Sequence, residues 1–176
     1  MRNISTAAPE PKKFFFMALF AVCLSFFSWG QQETGSKPFY NPKADARADI
    51  KNATAQAEKE HKNVMLQIGG NWCIWCTRFH NLIETNDSLN KLMSENYVYL
   101  PVNYDQNNKN SPLWAELGFP QRFGFPVFVI LDKEGKIIHI QNSAYLEEGK
   151  GHSPGKVAQF LKNWSPAAVA GKTISR

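Results

Sequence analysis

Apolar and polar positions follow several periods along the chain, and each change of period marks an element. Residues 44–61 are rich in Ala, Lys and Glu, with no Gly or Pro, and predict a helix by propensity. Residues 63–68 (NVMLQI) predict a strand, closed by Gly69-Gly70. A helix follows from Cys73 to about Ile83. A second short helix begins at Asp87, with Leu89, Leu92 and Met93 as its apolar face. Residues 97–104 (YVYLPVNY) predict a strand in which Pro101 marks an edge or a bend. Ser111-Pro112 is an N-cap with proline at the first helical position, opening a short helix to Leu117. Residues 127–131 (VFVIL) form a continuous apolar strand of the buried kind. Residues 132–135 (DKEG) make a hairpin turn, and 136–141 alternate and pair back antiparallel. Ser153-Pro154 repeats the cap signal before a helix through Phe160, Leu161 and Trp164. Strands separated by helices up to Val127 require parallel pairing with crossovers, and the closing hairpin adds antiparallel pairing. The expected class is α/β: a mixed central sheet with helices on both faces.

The N-terminus follows another pattern. Lys12-Lys13 precedes an apolar run from Phe14 to Trp29, and the small residues Ser28 and Gly30 stand before the polar Gln31-Gln32-Glu33. This order describes a secretory signal over residues 1–30, cleaved after Gly30. The alternative is a retained anchor, although a run of 16 residues is short against the roughly 20 that span a bilayer. Bulky Val22 precedes Cys23 and the apolar run continues past it, which is not the setting of a lipoprotein cysteine. Residues 31–42 then form an irregular lead-in, 43–165 one domain and 166–176 a loose tail. With 43% apolar and 13% aromatic residues, the chain is globular rather than disordered. Of the net charge of +5, Arg2, Lys12 and Lys13 against Glu10 place +2 in the first thirty residues. The remainder is mild. There is no basic stripe with interleaved aromatics, so no nucleic-acid partner is expected.

Setting Cys23 aside, the two remaining cysteines stand in Trp72-Cys73-Ile74-Trp75-Cys76. One close pair with no spare thiol fits an oxidising compartment. The pair directly follows a strand and opens a helix. Unpaired N–H groups concentrate partial positive charge at a helix start, which stabilises a thiolate and lowers the pKa of the first cysteine. The residue three positions on shares that face. Cys73 is therefore expected to be the exposed nucleophile and Cys76 the buried resolving thiol.

Other readings fit the same residues. Cys73 and Cys76 can form a purely structural disulfide. His80, four residues after Cys76, adds a third potential zinc ligand, but no fourth with recognisable spacing appears. Thr77 occupies the position where a c-type haem site needs histidine. His61, His139 and His152 have no partner identifiable from sequence and are read as surface or structural. No metal is expected.

These residues resemble the thioredoxin superfamily, and in particular its exported members. The resemblance rests on Trp72-Cys73-x-x-Cys76, on Val102-Asn103-Tyr104-Asp105 followed by Gln106-Asn107, and on Gly124-Phe125-Pro126 before the apolar strand and the Lys133-Glu134-Gly135 turn. It implies a thioredoxin-like fold and a cis peptide at Phe125-Pro126 facing the cysteines. Phe125 would then pair with substrate backbone in the manner of an added strand. Trp72 and Trp75 would wall the groove, although both also suit core packing. Two positions depart from the family pattern. Gln67 stands where the family has a buried acid, and Pro101 where it has that acid's lysine partner. Ile74-Trp75 replaces the usual dipeptide between the cysteines.

The resemblance implies thiol–disulfide exchange with no cofactor beyond the Cys73–Cys76 pair. Its partners would be disulfide-containing protein substrates and an exported or membrane electron donor, with a membrane involved only if the N-terminal segment is retained. Reduction of substrates is the leading direction, because only about 20 residues separate the second strand from Pro126, leaving no room for the inserted helical domain of dedicated periplasmic oxidases. Oxidase or isomerase activity is the first alternative. A non-enzymatic binding module with a permanent disulfide is the second. Peroxide reduction is disfavoured by Gly70, which stands where that chemistry uses Thr or Ser. The expected location is periplasmic or secreted.

Overall fold

The computed structural model describes residues 38–109 and 111–171. The signal expected over 1–30, its cleavage after Gly30, and Cys23 lie outside the described residues.

The first helix, α1, runs Ala46–Glu60. The Asp45 carboxylate accepts from the backbone N–H of Arg47 at 3.0 Å and of Ala48 at 3.2 Å, satisfying donors that a helix start leaves open. His61 ends the helix in the left-handed conformation. Strand β1 (Asn63–Gly69) is buried along its whole length. Helix α2 (Ile74–Thr85) and helix α3 (Asp87–Asn96) share one cap: Asn86 closes the first, and its side chain accepts from the N–H of Leu89 to open the second. Strand β2 (Tyr97–Asn103) and the one-turn helix α4 (Leu113–Glu116) lead through a 3-10 turn, Pro120–Phe123, to β3 (Val127–Leu131) and β4 (Ile137–Asn142). After a second 3-10 turn (Ser143–Leu146), β5 (Glu147–Glu148) pairs with β6 (Gly151–His152). Helix α5 (Pro154–Asn163) follows.

The sheet has the order β2-β1-β3-β4, with β1 parallel to β2 and antiparallel to β3, and β3 antiparallel to β4. Pro101 lies on the edge strand β2, where a missing N–H costs no ladder bond on the outer side. Alternation along the strands divides the core into two layers. Val64, Leu66, Ile68, Val127, Val129 and Leu131 face α1 and α4, while Met65, Phe128 and Ile130 face α2, α3 and α5.

The end of the chain corrects one expectation. Residues 166–169 are not loose: Pro166–Val169 form helix α6, and the Ser165 hydroxyl accepts from the N–H of Ala168 at 3.3 Å. The lead-in also differs. Tyr40, placed by sequence in an irregular stretch ahead of the domain, is 1% exposed and part of the core.

Candidate functional site

The turn between β1 and α2 builds the site. Cys73 is the N-cap of α2, and its Sγ accepts from the backbone N–H of Cys76 at 3.1 Å. Cys73 and Cys76 form a disulfide with their Cα atoms 5.3 Å apart. One turn of helix brings residues i and i+3 to this spacing, and the free N–H groups of the first turn face the N-cap sulfur. Cys76 is fully buried. Cys73 is 5% exposed, so the outer cysteine is more sheltered than its expected role as an exposed nucleophile implies. Phe39, Trp75 and Phe125 pack against the cluster that holds the pair.

Gly69 and Gly70 do more than end a strand. A Cβ on Gly69 would stand 2.4 Å from Cys76 Sγ and 2.8 Å from the Tyr40 hydroxyl oxygen. A Cβ on Gly70 would stand 2.4 Å from Trp72 Nε1. All three distances are shorter than a Cβ atom tolerates, so each glycine admits a neighbour that a side chain would displace.

On one flank lies a groove of about 450 Å³ lined by Trp72, Tyr104, Asp105, Gln106 and Phe125. Trp72 is 59% exposed, and its Nε1 donates to the Tyr104 carbonyl at 3.0 Å. Its ring meets Phe125 edge-on at 5.3 Å, and Phe125 lies 4.7 Å from the Tyr104 ring. Phe125 also packs against the cysteine cluster. The Phe125–Pro126 peptide is cis, and Pro126 is buried. Asp105 supplies the charge in the groove. Hydrogen bonds from the Asn103 side chain and from the N–H groups of Asn107 and Asn108 hold its carboxyl below the usual carboxylate range.

Trp75 lies outside this groove. It packs against the cysteine cluster, meets the His152 ring edge-on at 5.7 Å and carries the Arg78 guanidinium 4.9 Å above its ring. Of the six residues singled out by sequence, Trp72 and Phe125 line the groove, and Phe125 also packs against the buried cluster that holds Cys73 and Cys76. Trp75 lies on another flank, and Pro126 lies beneath the surface.

The remaining histidines have structural surroundings. His80 stacks on Phe39 at 3.9 Å, and His139 stacks on Trp164 at 4.0 Å. His152 is buried with neither ring nitrogen bonded, and it meets Phe79 edge-on at 5.2 Å. Burial, reinforced by Arg78, pushes its pKa down to about 4.

Beneath Cys76 is a polar cluster that sequence reasoning did not assemble. Gln67 is fully buried, and its register partners are Pro101 on β2 and Phe128 on β3. Its Nε2 donates to the Tyr40 hydroxyl at 2.7 Å and to the Cys76 carbonyl at 3.1 Å, and its Oε1 accepts from the Tyr99 hydroxyl. Tyr40 is pinned at its backbone as well. Its N–H donates to Asn71 Oδ1 at 3.0 Å, and its carbonyl accepts from Asn71 Nδ2 at 2.8 Å. The available sequence signal was Phe39-Tyr40, two aromatics inside an otherwise polar stretch.

Comparison with known proteins agrees with this architecture. A family model described as thioredoxin-like matches residues 45–133, just over half of the chain. No curated protein sequence matches it. Among solved structures, a disulphide isomerase from Xylella fastidiosa Temecula1 superposes with a TM-score of 0.64 at 23% identity, covering 73% of this chain and 97% of its own. A DsbH oxidoreductase gives 0.47 at 23% identity, covering 66% and 79%. A thioredoxin-fold protein from Helicobacter pylori gives 0.47 at 19% identity, covering 69% and 86%. The chain belongs to the thioredoxin-like family, and its Cys73 and Cys76 form a disulfide at the start of α2.

Proposed function

We propose that the protein is an exported thiol–disulfide reductase. The observation that carries this reading is the placement of Cys73 Sγ at the start of a 12-residue helix, bonded to the N–H of Cys76 and bordered by an aromatic groove. A thiolate at that position gains from the helix field and from the donor. Cys73 thiolate attacks a substrate disulfide and releases the first substrate thiol. Cys76 then attacks Cys73 Sγ, closes the disulfide and releases the second. A donor dithiol, held in an exported or membrane protein, returns the pair to its reduced state. Phe125 and Trp72 present an apolar face to an extended peptide, and the Asp105 carboxylate lies at its side.

Reduction is favoured over oxidation by the connection between β2 and Pro126. Among the described residues it holds only the one-turn α4 and a 3-10 turn, with no inserted helical domain. Export is supported by the signal pattern of residues 1–30. A redox titration of protein lacking those residues tests the direction. A potential near roughly −270 mV fits a reductase, whereas roughly −120 to −180 mV makes the protein an oxidase or isomerase.

The low exposure of Cys73 favours a second reading, a binding module stapled by a permanent disulfide. In that case dithiothreitol at millimolar concentration leaves the bond intact in the native protein, and insulin reduction stays at the background rate.

A further inference from the structure

The donors and acceptors around Gln67 can be accounted for one by one. The Cys76 carbonyl only accepts, so the group facing it at 3.1 Å is the amide NH2. That assigns Gln67 Oε1 to the Tyr99 hydroxyl, which must donate. The second amide proton goes to the Tyr40 oxygen, which must therefore accept. Tyr40 retains its own O–H proton, and among the described residues no hydrogen bond takes it. A buried hydroxyl proton without an acceptor is costly.

The sulfur of Cys76 and the Tyr40 hydroxyl border the same small space over Gly69, kept open because that residue has no Cβ. Tyr40, Cys73 and Cys76 form one buried cluster. While Cys76 is held in the disulfide, no hydrogen bond joins it to Tyr40. Reduction frees the sulfur and gives it the ability to carry charge in a site where water does not reach it.

We infer that Tyr40 is a third side chain of the exchange chemistry: in the reduced protein its hydroxyl donates a hydrogen bond to Cys76 Sγ and stabilises the thiolate that this sulfur becomes for the resolving step. This inference rests on the exchange reaction proposed above. In the first step Cys73 thiolate attacks the substrate disulfide, forming the mixed disulfide and expelling one substrate thiolate. That thiolate takes the proton of Cys76. The resulting Cys76 thiolate, bonded by Tyr40, attacks Cys73 Sγ and expels the second substrate sulfur. The protein loses two electrons and the substrate disulfide gains them, while the Tyr40 proton stays on its oxygen. Burial pushes the Tyr40 phenol well above its ordinary range, against the opposing bond from Gln67, so it remains a donor wherever thiols titrate. Gln67 cannot ionise. Its part is to orient Tyr40, with Tyr99 fixing the amide from the other end.

The test follows the Cys76 13Cβ resonance against pH in the reduced protein. Tyr40→Phe removes only the hydroxyl and is expected to raise the Cys76 midpoint by about one pH unit, equivalent to about tenfold less thiolate at a fixed lower pH. A midpoint unchanged by Tyr40→Phe overturns the inference. The wild-type protein supplies a second reading that does not depend on the variant folding. The Tyr40 13Cζ resonance should move with the Cys76 midpoint, and a Tyr40 signal that stays flat through that transition overturns the inference. Neither measurement requires turnover. Failure of insulin reduction therefore counts against the proposed function alone, and failure of the titrations against Tyr40 alone.

Discussion

The two sulfurs lie between surroundings of opposite character. Above Cys73 is an open aromatic mouth of Trp72, Tyr104 and Phe125, where the polar contacts are a single indole bond to a carbonyl and the Asp105 carboxylate at the side. Below Cys76 is a closed floor of Tyr40, Gln67 and Tyr99, in which nearly every donor is committed. Under the function and the Tyr40 role proposed above, the difference follows from what each side must do. A mouth that accepts peptides of many sequences works through apolar area and backbone contact, which discriminate weakly. A floor that must stabilise charge on a sulfur away from water needs donors fixed in advance, because they cannot reorganise as bulk water does. Changes at the mouth should therefore alter substrate affinity and leave the sulfur energetics alone, and changes at the floor should do the reverse.

The largest effect separates the sulfurs themselves. Cys73→Ser should drop insulin reduction to the background rate, whereas Cys76→Ser should accumulate mixed disulfides with substrate that are visible by mass spectrometry. Full activity in Cys73→Ser would place the nucleophile elsewhere. At the floor, Gly69→Ala forces a methyl into Cys76 Sγ and the Tyr40 hydroxyl. Overpacking of this kind costs about 1–3 kcal/mol, readable as a lowered urea midpoint. An unchanged midpoint would show that the floor gives way and is not a fixed donor array.

At the mouth, Phe125→Ala removes ring contacts with Trp72 and Tyr104. It should raise KM for peptide disulfides severalfold and leave the Cys76 titration in place. A shift in that titration would break the division between mouth and floor.

The smallest effect belongs to the third flank. The folded pKa of His152 lies near 4, below the ordinary 6.5, because the buried ring resists charging. Between those values the unfolded chain binds more protons than the folded one, so stability falls as pH drops from about 6.5 toward 4 and is fully present above 6.5. His152→Leu should flatten that slope, seen as urea midpoints at pH 7.5 and 4.5 that lie closer together than in the wild type. Equal slopes would mean that the ring is not sheltered beside Trp75.

Most of the mouth was legible in the sequence and the floor was not. Trp72, Cys73 and Cys76 fall within five residues, and the strand, glycine pair and helix around them are local signals. The floor joins Tyr40 to Gln67 across 27 residues and Tyr99 to Gln67 across 32. Gln67 is legible in the sequence only as a position lacking an acid. Its amide bonds depend on β1 lying beside β2 in the observed register and on Tyr40 being tied to Asn71. The third Ser-Pro pair, Ser165-Pro166, carried the same signal as Ser111-Pro112 and Ser153-Pro154, and it opens α6 where a loose tail was expected. The strands β5 and β6, two residues each, are too short for any periodicity to register.

The sequence by itself determined the order of the major elements, the mixed character of the sheet and the cysteine pair at the start of α2, because caps, alternation and cysteine spacing act over a few residues. Only the tertiary structure decided that a tyrosine ahead of the first helix shares buried space with Cys76, that Gly69 keeps that space open, and that Trp72 and Trp75 lie on different flanks. Those outcomes depend on which surfaces meet when the sheet and helices pack. Contact between distant segments is a property of volume and hydrogen-bond accounting in the folded core, and no local pattern encodes it.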